Sequence, residues 1–231
     1  MADTRDTSGS VAISPRSLPK QFQERLGIDW LWWREDDVGG FGGDSFGPVR
    51  DLFDACGTIL QNVPDGRRGN VIQAGGNCGL YARWYAQHFN RVFTFEPTRG
   101  NFKALALNAA EVPNVWAYNC ALGNLVDGFA DRKATHADNC GADSYKVGNE
   151  QSHTPVIALD NIAINWGKID LIHLDVEGFE PLILDGAQQI LERDHPIVIV
   201  ENPQNTIKLL KSIGYKEKER VHSDQIFVWE G

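Results

Sequence analysis

The sequence predicts an α/β protein built around one mostly parallel β-sheet. Three observations lead to this prediction. From residue 70 onward, short continuous apolar runs alternate with helical patterns. Such runs are typical of parallel strands buried on both faces, and their alternation with helices predicts right-handed βαβ units. The chain has 231 residues, of which 42% are hydrophobic, so it can form one packed core.

The first half of the predicted sheet follows a regular pattern. Strands are predicted at 71–74, 91–95 and 115–118, and the helices 80–89 and 101–110 connect them. The second strand ends at Glu96 and Pro97, where proline stops the ladder.

The next stretch, 123–154, is polar and aperiodic, and it is long for a connection inside a compact domain. It is either a functional loop or an inserted hairpin. Regularity returns with a short strand at 155–158 and sheet strands at 169–174 and 196–200. A helix is predicted at 181–191 between the last two.

The chain is predicted to end in a helix at 206–213, which Gly214 caps, and an edge hairpin. The hairpin strands, 215–217 and 226–229, complete a seven-stranded sheet and run antiparallel to each other. Residues 69–231 therefore form the main domain.

The segment before the sheet is expected to differ from it. Residues 1–20 are polar and predict a flexible tail, and residues 21–68 form an accessory segment. The accessory segment holds the aromatic run Trp30–Trp33 and the glycine-rich run 39–43. Tryptophans this close together usually pack against a core or a partner subunit. Together with the 123–154 stretch, this segment is expected to shape the substrate pocket.

The formal net charge of −9 argues against partners that are nucleic acids or anionic membranes. The sequence contains no apolar run near the ~20 residues of a membrane span and no secretory signal. Its cysteines lack paired spacing, which favours reduced thiols and a cytoplasmic protein. Whether the chain forms a homo-oligomer stays open.

The glycine turn after the first predicted strand is the first candidate binding element. In open α/β sheets, ligands bind outside the carboxyl ends of the strands. Gly75 and Gly79 let the backbone approach a ligand closely, and the next helix start offers N–H groups to an anion. Glu96, about 20 residues further on, suits two ribose hydroxyls. A nucleoside ligand is predicted, either a methyl donor or NAD.

Acidic side chains follow the later strands. Asp175 and Glu177 come after the fourth sheet strand and Glu201 after the fifth, while His173 shares a strand face with Asp175. These groups could hold a donor's amino group, orient an acceptor hydroxyl or take its proton. They could also bind a divalent cation through oxygen, although no histidine has metal-ligand spacing and no metal site is predicted.

Several motifs together resemble the FkbM family of S-adenosylmethionine-dependent methyltransferases. The most specific is the aspartate-valine-glutamate-glycine run at 175–178. The other matching stretches occur in order between residues 69 and 230, and they are 71–81, 92–97, 120–123, 158–162, 199–201 and 213–215.

The resemblance implies a class I methyltransferase Rossmann-like fold and methyl transfer, usually to a hydroxyl of a sugar, polyketide or similar small metabolite. S-adenosylhomocysteine would be the product. By the same resemblance, the side chains and backbone that would bind the donor are Gln73, Gly75, Asn77, Gly79, Glu96, Pro97, Cys120, Ala121 and Asp175. The candidates for acting on the acceptor are Asp175, Glu177, His173 and Glu201.

Three positions depart from the family pattern. Gln73 stands where an aspartate is usual, Gly76 where an alanine is usual, and His173 where a lysine is common. Glutamine keeps a hydrogen-bonding oxygen but lacks the charge that organises the donor site. Gln73 motivates one alternative, a non-catalytic donor-binding protein. A second alternative is a nicotinamide-dependent oxidoreductase, which would share the glycine turn and Glu96. The third glycine of its usual GxGxxG motif is missing here, where Tyr81 and Ala82 stand.

Overall fold

The computed structural model describes a defined part of the chain, namely residues 11–38, 40, 46–124, 128–133, 144–148, 153–201, 204 and 206–231. Its strands, in chain order, are β1 (Ile13–Ser17), β2 (Trp30–Arg34), β3 (Asn70–Ala74), β4 (Arg91–Phe95), β5 (Val115–Tyr118), β6 (Ala121–Leu122), β7 (Gly128–Lys133), β8 (Ser144–Val147), β9 (Thr154–Ile157), β10 (Leu171–Leu174), β11 (Ile197–Glu201), β12 (Tyr215–Val221) and β13 (Asp224–Trp229). Its α-helices are α1 (Lys20–Leu26), α2 (Gly47–Asn62), α3 (Leu80–Tyr85), α4 (Arg99–Ala110), α5 (Leu159–Ile162), α6 (Glu180–Asp185), α7 (Gln188–Asp194) and α8 (Ile207–Ser212).

The central sheet has seven strands in the order β12-β13-β11-β10-β3-β4-β5. The five strands from β11 to β5 are mutually parallel, and β13 runs antiparallel to both of its neighbours. This confirms the predicted α/β fold, a mostly parallel seven-stranded sheet with an antiparallel C-terminal edge hairpin.

The central strands are buried on both faces, as their uninterrupted apolar runs predict. Every residue of β3 and β10 is buried. Because side chains alternate along a strand, Val71 and Val92 enter the core beneath α2, α3 and α4. Ile72 and Leu174 enter the opposite core, beneath the helices from α5 to α8. The sheet is therefore covered by a helix layer on each side.

One predicted helix is divided into two. The sequence pattern predicts a single helix at 181–191, but the chain turns between α6 and α7 at Gly186 and Ala187. A Cβ added at Gly186 would lie 2.0 Å from the carbonyl oxygen of Gly123. The backbone that leaves β6 thus passes so close to this point that only glycine fits there.

The N-terminal segment is part of the main core, which corrects the expected extent of the flexible tail. Residues 1–10 of the predicted tail lie outside the described residues, but Ile13–Ser17 forms β1 and pairs antiparallel with β2. Leu18, Phe22 and Leu31 pack in the same buried cluster as Val71 of the sheet. The tail therefore does not extend to residue 20, and the accessory segment 21–68 packs against the sheet.

The 123–154 stretch contains an inserted hairpin, one of the two alternatives left open by the sequence. β7 and β8 pair antiparallel, and β9 joins them to β6 in a four-stranded sheet ordered β6-β9-β7-β8. Residues 125–127, 134–143 and 149–152 lie outside the described part.

Two further expectations concern membranes and thiols. No helix among the described residues is both long enough and apolar enough to cross a bilayer. The described cysteines, Cys56, Cys78 and Cys120, are free and buried, and Cys140 lies outside the described residues.

Candidate functional site

The glycine turn after β3 is held between the ends of neighbouring strands. Gly75 has φ +85°, and a Cβ at this position would lie 1.8 Å from the carbonyl oxygen of Asp175. The backbone N–H groups of Gly75 and Gly76 both donate to the Phe95 carbonyl, at 3.1 and 2.9 Å. The turn therefore bridges the carboxyl ends of β10, β3 and β4, where only glycine at 75 permits the approach.

Gln73 supports this turn from inside the protein. Its side chain is 1% exposed. The amide Nε2 donates to the Gly75 carbonyl at 2.7 Å, and Oε1 accepts a hydrogen bond from Thr94 Oγ1 at 2.5 Å. The structure thus places Gln73 behind the turn, and it is not among the residues that line the cavities described below. The Gln73 amide thus links β3 to β4 through Thr94 and also binds the turn at Gly75.

Glu96, at the end of β4, is fixed by two backbone amides. Its oxygen Oε2 accepts from the N–H of Asn77 at 2.8 Å, and Oε1 accepts from the N–H of Thr98 at 2.7 Å. Asn77 has φ +45°, which turns its N–H toward the carboxylate. Only 5% of Glu96 is exposed. Because a carboxylate oxygen can accept more than one hydrogen bond, the Glu96 carboxylate can also accept hydrogen bonds from the hydroxyl groups of a ligand.

Two adjoining cavities open beside this turn. The first encloses about 280 Å³ and is mainly apolar; it is lined by Ala74, Gly75, Phe95, Pro97, Cys120, Ala121, Leu122, Tyr145, Val176, Phe179 and Ile183. The second, of about 440 Å³, is the more polar of the two and carries both polar and apolar surface; it is lined by Gly75, Asn77, Glu96, Pro97, Thr98, Asn101, Tyr145, Asp175, Val176 and Glu177. The two cavities share Gly75, Pro97, Tyr145 and Val176, so they form one cleft with an apolar end and a polar end.

Most of the predicted donor-binding residues line this cleft, whereas Gln73 and Gly79 do not. Cys120 and Ala121 lie at the apolar end, and Asn77 and Glu96 at the polar end. Burial raises the pKa of the Cys120 thiol to about 11, so the sulfur is a neutral wall group at neutral pH. Gly79, with φ +92°, stands at the start of α3, behind the turn.

The acidic side chains predicted at the strand ends, Asp175, Glu177 and Glu201, form what we call the acidic rim, and two of the three line the cleft. Asp175 and Glu177 line the polar cavity, and Asp175 is half-buried while Glu177 is exposed. Burial raises the pKa of the Asp175 carboxyl well above its usual range, and the charge of Glu201 and a hydrogen bond with that residue raise it further. Asp175 therefore keeps its proton more readily than an ordinary aspartate does, and Glu201 is its hydrogen-bond partner.

His173 does not reach the cleft. The side chain is 1% exposed, and its Nδ1 lies 3.0 Å from the hydroxyl of Tyr85. Burial lowers the pKa of His173 to about 4, so the imidazole is neutral at pH 7. This placement argues against His173 as a base in direct contact with an acceptor, since a buried ring on β10 faces α3 instead.

Among the cleft residues not singled out from the sequence are three polar ones, Tyr145, Thr98 and Asn101. Tyr145 comes from the inserted hairpin, touches both cavities, and shares a 2.9 Å hydrogen bond with Thr98 Oγ1. Asn101, on α4, accepts a 3.0 Å hydrogen bond from Arg34 at the end of β2. The inserted hairpin thus contributes Tyr145 to the cleft, whereas no residue of the Trp30–Trp33 run lines either cavity. No local motif marks Tyr145 or Asn101.

No group of three or more histidine, cysteine, aspartate or glutamate side chains within the described ranges has the geometry of a metal site.

Comparisons with known proteins give one family match. The family model described as "Methyltransferase FkbM domain" matches residues 77–216, more than half of the chain. No curated protein sequence gives a significant match.

Several solved structures are similar to this chain at low sequence identity. The FkbM methyltransferase from Methylobacillus flagellatus is 14% identical, with a TM-score of 0.48, over 91% of this chain and 57% of that one. The chain thus spans little more than half of that protein. Aeropyrum pernix fibrillarin, solved with natively bound S-adenosyl-L-methionine, is 12% identical, with a TM-score of 0.47, over 87% of this chain and 77% of that one.

A fibrillarin pre-rRNA processing protein from Methanococcus jannaschii is 13% identical, with a TM-score of 0.46, over 100% of this chain and 87% of that one. At these identities the family assignment depends on the family model, whose match begins at Asn77 in the glycine turn and ends at Tyr215 and Lys216 in β12. This chain belongs to the FkbM methyltransferase domain family.

Proposed function

We propose that this chain is an S-adenosylmethionine-dependent methyltransferase that methylates a hydroxyl oxygen of a sugar, a polyketide or a similar small metabolite. The observation that carries the proposal is the two-ended cleft at the carboxyl ends of β3, β4 and β10. Its position matches the ligand crevice of open α/β sheets. Family membership supports the reaction class, and the net charge of −9 favours a small acceptor over an anionic polymer.

The cleft residues fit the donor by their chemistry. The apolar end, between Pro97 and Cys120, suits a flat adenine ring, and Ala121 borders the same space. Glu96 suits the pair of ribose hydroxyls. The methionyl part would meet the turn at Gly75 and Asn77, which line the polar end of the cleft beside Glu96.

Bound S-adenosylmethionine supplies an already activated methyl group on a sulfonium sulfur. What is left for the protein is to align the acceptor and to exclude water. Tyr145 and Phe179 cover the cleft from the side of the inserted hairpin and α6. Asp175 and Glu177, on the polar wall, are placed to bind the acceptor or to receive its proton, and Glu201 stands behind Asp175.

Calorimetry with a matched pair of variants tests the donor site. The wild-type chain should bind S-adenosylhomocysteine and S-adenosylmethionine and should not bind NAD. Glu96→Gln should weaken binding of both sulfur ligands about 10- to 100-fold, because charge-assisted hydrogen bonds contribute about 1.5–3 kcal/mol. Glu192→Gln, on the exposed side of α7, removes the same charge far from the cleft and should leave affinity unchanged.

Each contrary result has its own meaning. Binding of NAD alone would replace the proposal by the oxidoreductase. Donor binding by a chain that turns over no hydroxylated acceptor would favour the non-catalytic binding protein. Equal affinity of the Glu96→Gln and Glu192→Gln variants would show that the donor lies elsewhere.

A further inference from the structure

Behind the acidic rim, a row of polar groups leads away from the cleft into the core. We propose that Asp224 takes up the proton that leaves the acceptor hydroxyl, by way of Asp175 and Glu201. The buried pair of His173 and Tyr85 is the positioning unit, because it can present either an N–H or a lone pair to Asp224 and so match both of its protonation states. This inference rests on the proposed methyl transfer and adds a proton acceptor to it.

The row begins at the cleft with Asp175, which lines the polar cavity and shares a hydrogen bond with Glu201. Glu201 ends β11 and is the direct ladder partner of Asp224, the first residue of β13. Directly opposed side chains in antiparallel strands have Cβ atoms about 5 Å apart, within reach of two carboxyl groups. Ser223 Oγ donates to Glu201 Oε1 at 3.0 Å and holds it in place.

Behind Asp224 lies the imidazole of His173. Its Nε2 is 4.0 Å from Asp224 Oδ2, and it is buried with no hydrogen-bond partner among the described residues. The other ring nitrogen, Nδ1, lies 3.0 Å from the Tyr85 hydroxyl. The ring of Tyr81 packs edge-on against the imidazole at 4.8 Å. A buried, unpartnered nitrogen thus points at a carboxyl group that is only 15% exposed.

This geometry couples the histidine tautomer to Asp224. When Tyr85 donates its O–H to Nδ1, the ring proton is on Nε2 and faces Asp224, which suits a carboxylate. When Nδ1–H donates to the Tyr85 oxygen instead, the Nε2 lone pair faces Asp224, which suits a protonated carboxyl. The neutral ring can therefore match both states of Asp224 without gaining a charge.

The surrounding charges keep the proton at Asp224 exchangeable near neutral pH. Burial raises the pKa of Asp224 to about 7, the negative charge of Glu201 adds to this, and His222 opposes it. Several charged or titratable groups face Asp224 or act on a group that faces it. They are Glu201 on β11, His173 on β10 and Asp175 directly after it, Tyr81 and Tyr85 on α3, Asp51, Arg50 and Asp54 on α2, and His222 in the hairpin turn.

The proposed reaction releases one proton for each methyl group transferred. The acceptor O–H bond breaks as an O–C bond forms, and the electron pair of the cleaved C–S bond stays on sulfur. The Asp175–Glu201 pair already holds one proton, as its hydrogen bond requires. A second proton that reaches this pair displaces the first toward Asp224, whose carboxylate forms the new O–H bond.

Long-range ¹H–¹⁵N NMR of the histidine rings in the full chain tests the row without an acceptor. The His173 signal is assigned by its loss in His173→Asn. In wild type the ring should stay neutral between pH 5 and 9, while its proton moves from Nδ1 to Nε2 with a midpoint at about pH 7, the pKa of Asp224. Asp224→Asn should abolish this change, and Glu192→Gln should leave it intact.

A second variant keeps the test decisive if Asp224→Asn does not fold. Tyr85→Phe removes the hydroxyl that pairs with Nδ1, so the ring proton should stay on Nε2 throughout the range. A pH-independent tautomer in wild type, or an unchanged switch in Asp224→Asn, would overturn the inference.

The failure of the proposed function is separable from this result. Absence of S-adenosylhomocysteine binding to wild type overturns the methyltransferase assignment and with it the origin of the proton. A fixed tautomer in a chain that binds S-adenosylhomocysteine overturns only the role of Asp224 and His173.

Discussion

Replacing Gly75 by alanine tests whether the strand-end turn is as tightly enclosed as the structure indicates. The new Cβ would lie 1.8 Å from the Asp175 carbonyl oxygen, and the residue would keep a φ of +85°. The left-handed backbone costs an L-residue about 1–2 kcal/mol. Relief of the collision by moving β10 or the turn costs a further ~1–3 kcal/mol. We expect the free energy of unfolding to fall by about 2–5 kcal/mol in total.

Gly178→Ala is the matched control for stability. Gly178 also has a left-handed φ, +98°, but a Cβ there would have no neighbour within 4 Å. Only the backbone cost of about 1–2 kcal/mol should apply. The difference between the two variants, about 1–3 kcal/mol, isolates the collision. Urea unfolding with unchanged m-values measures both.

The same substitution should affect the donor site. Because Asp175 and the turn both line the polar cavity, a shift of either one displaces ligand-facing groups. We expect Gly75→Ala to weaken S-adenosylhomocysteine binding at least about 10-fold, that is by ~1.4 kcal/mol. Gly66→Ala, whose added Cβ meets nothing within 4 Å, should bind as wild type does. Equal destabilisation by Gly75→Ala and Gly178→Ala would refute the inferred collision between a Cβ at position 75 and the Asp175 carbonyl oxygen.

Two further predictions concern groups that the cleft depends on. Thr94→Val should lower the free energy of unfolding by about 1–3 kcal/mol, because it leaves the buried Gln73 Oε1 without the hydrogen bond from Thr94. Thr94→Ser keeps the hydroxyl and should retain most of the stability. Equal loss of stability in the two variants, measured by urea unfolding, would contradict this. Asp224→Asn should be more stable than wild type by up to about 4 kcal/mol at pH 8, because ionising a buried carboxyl whose pKa is raised to about 7 costs the folded state that much. A carboxyl with a pKa raised to about 7 keeps its proton in the folded state while the unfolded chain loses it, so the stability it contributes below pH 4 is lost as pH rises to about 7. The difference between variant and wild type should therefore grow across that window and level off above it, and a constant difference in a pH series of urea melts would rule it out.

The predictable part of this fold depends on local patterns. The runs that became β3, β4 and β11 are continuous and apolar, and a strand buried on both faces leaves few other interpretations. The long helix pattern at 181–191 failed for a non-local reason, since the backbone at Gly123 interrupts it. The extent of the N-terminal tail was wrong because β1 is polar in sequence and forms by pairing with β2.

The site divides in the same way. Gly75, Asn77 and Glu96 could be named from the sequence because a turn between a strand and a helix must lie at the ligand edge of a parallel sheet. Tyr145 could not, since the inserted hairpin brings it to the cleft from outside the βαβ pattern. Gln73 was named as a ligand group, but its amide bonds Thr94 and the turn, and only packing decides which way a buried side chain is used.

By itself, then, the sequence determined the fold class, the family and the strand ends where ligands would bind, because these follow from short-range periodicity and from motifs of adjacent residues. The tertiary structure alone decided the connection from Asp175 to Tyr85. Glu201 and Asp224 meet because β13 returns antiparallel beside β11, and His173 faces α3 because alternate residues of β10 enter opposite cores. Such contacts join residues far apart in the chain, and no local pattern encodes the register that brings them together.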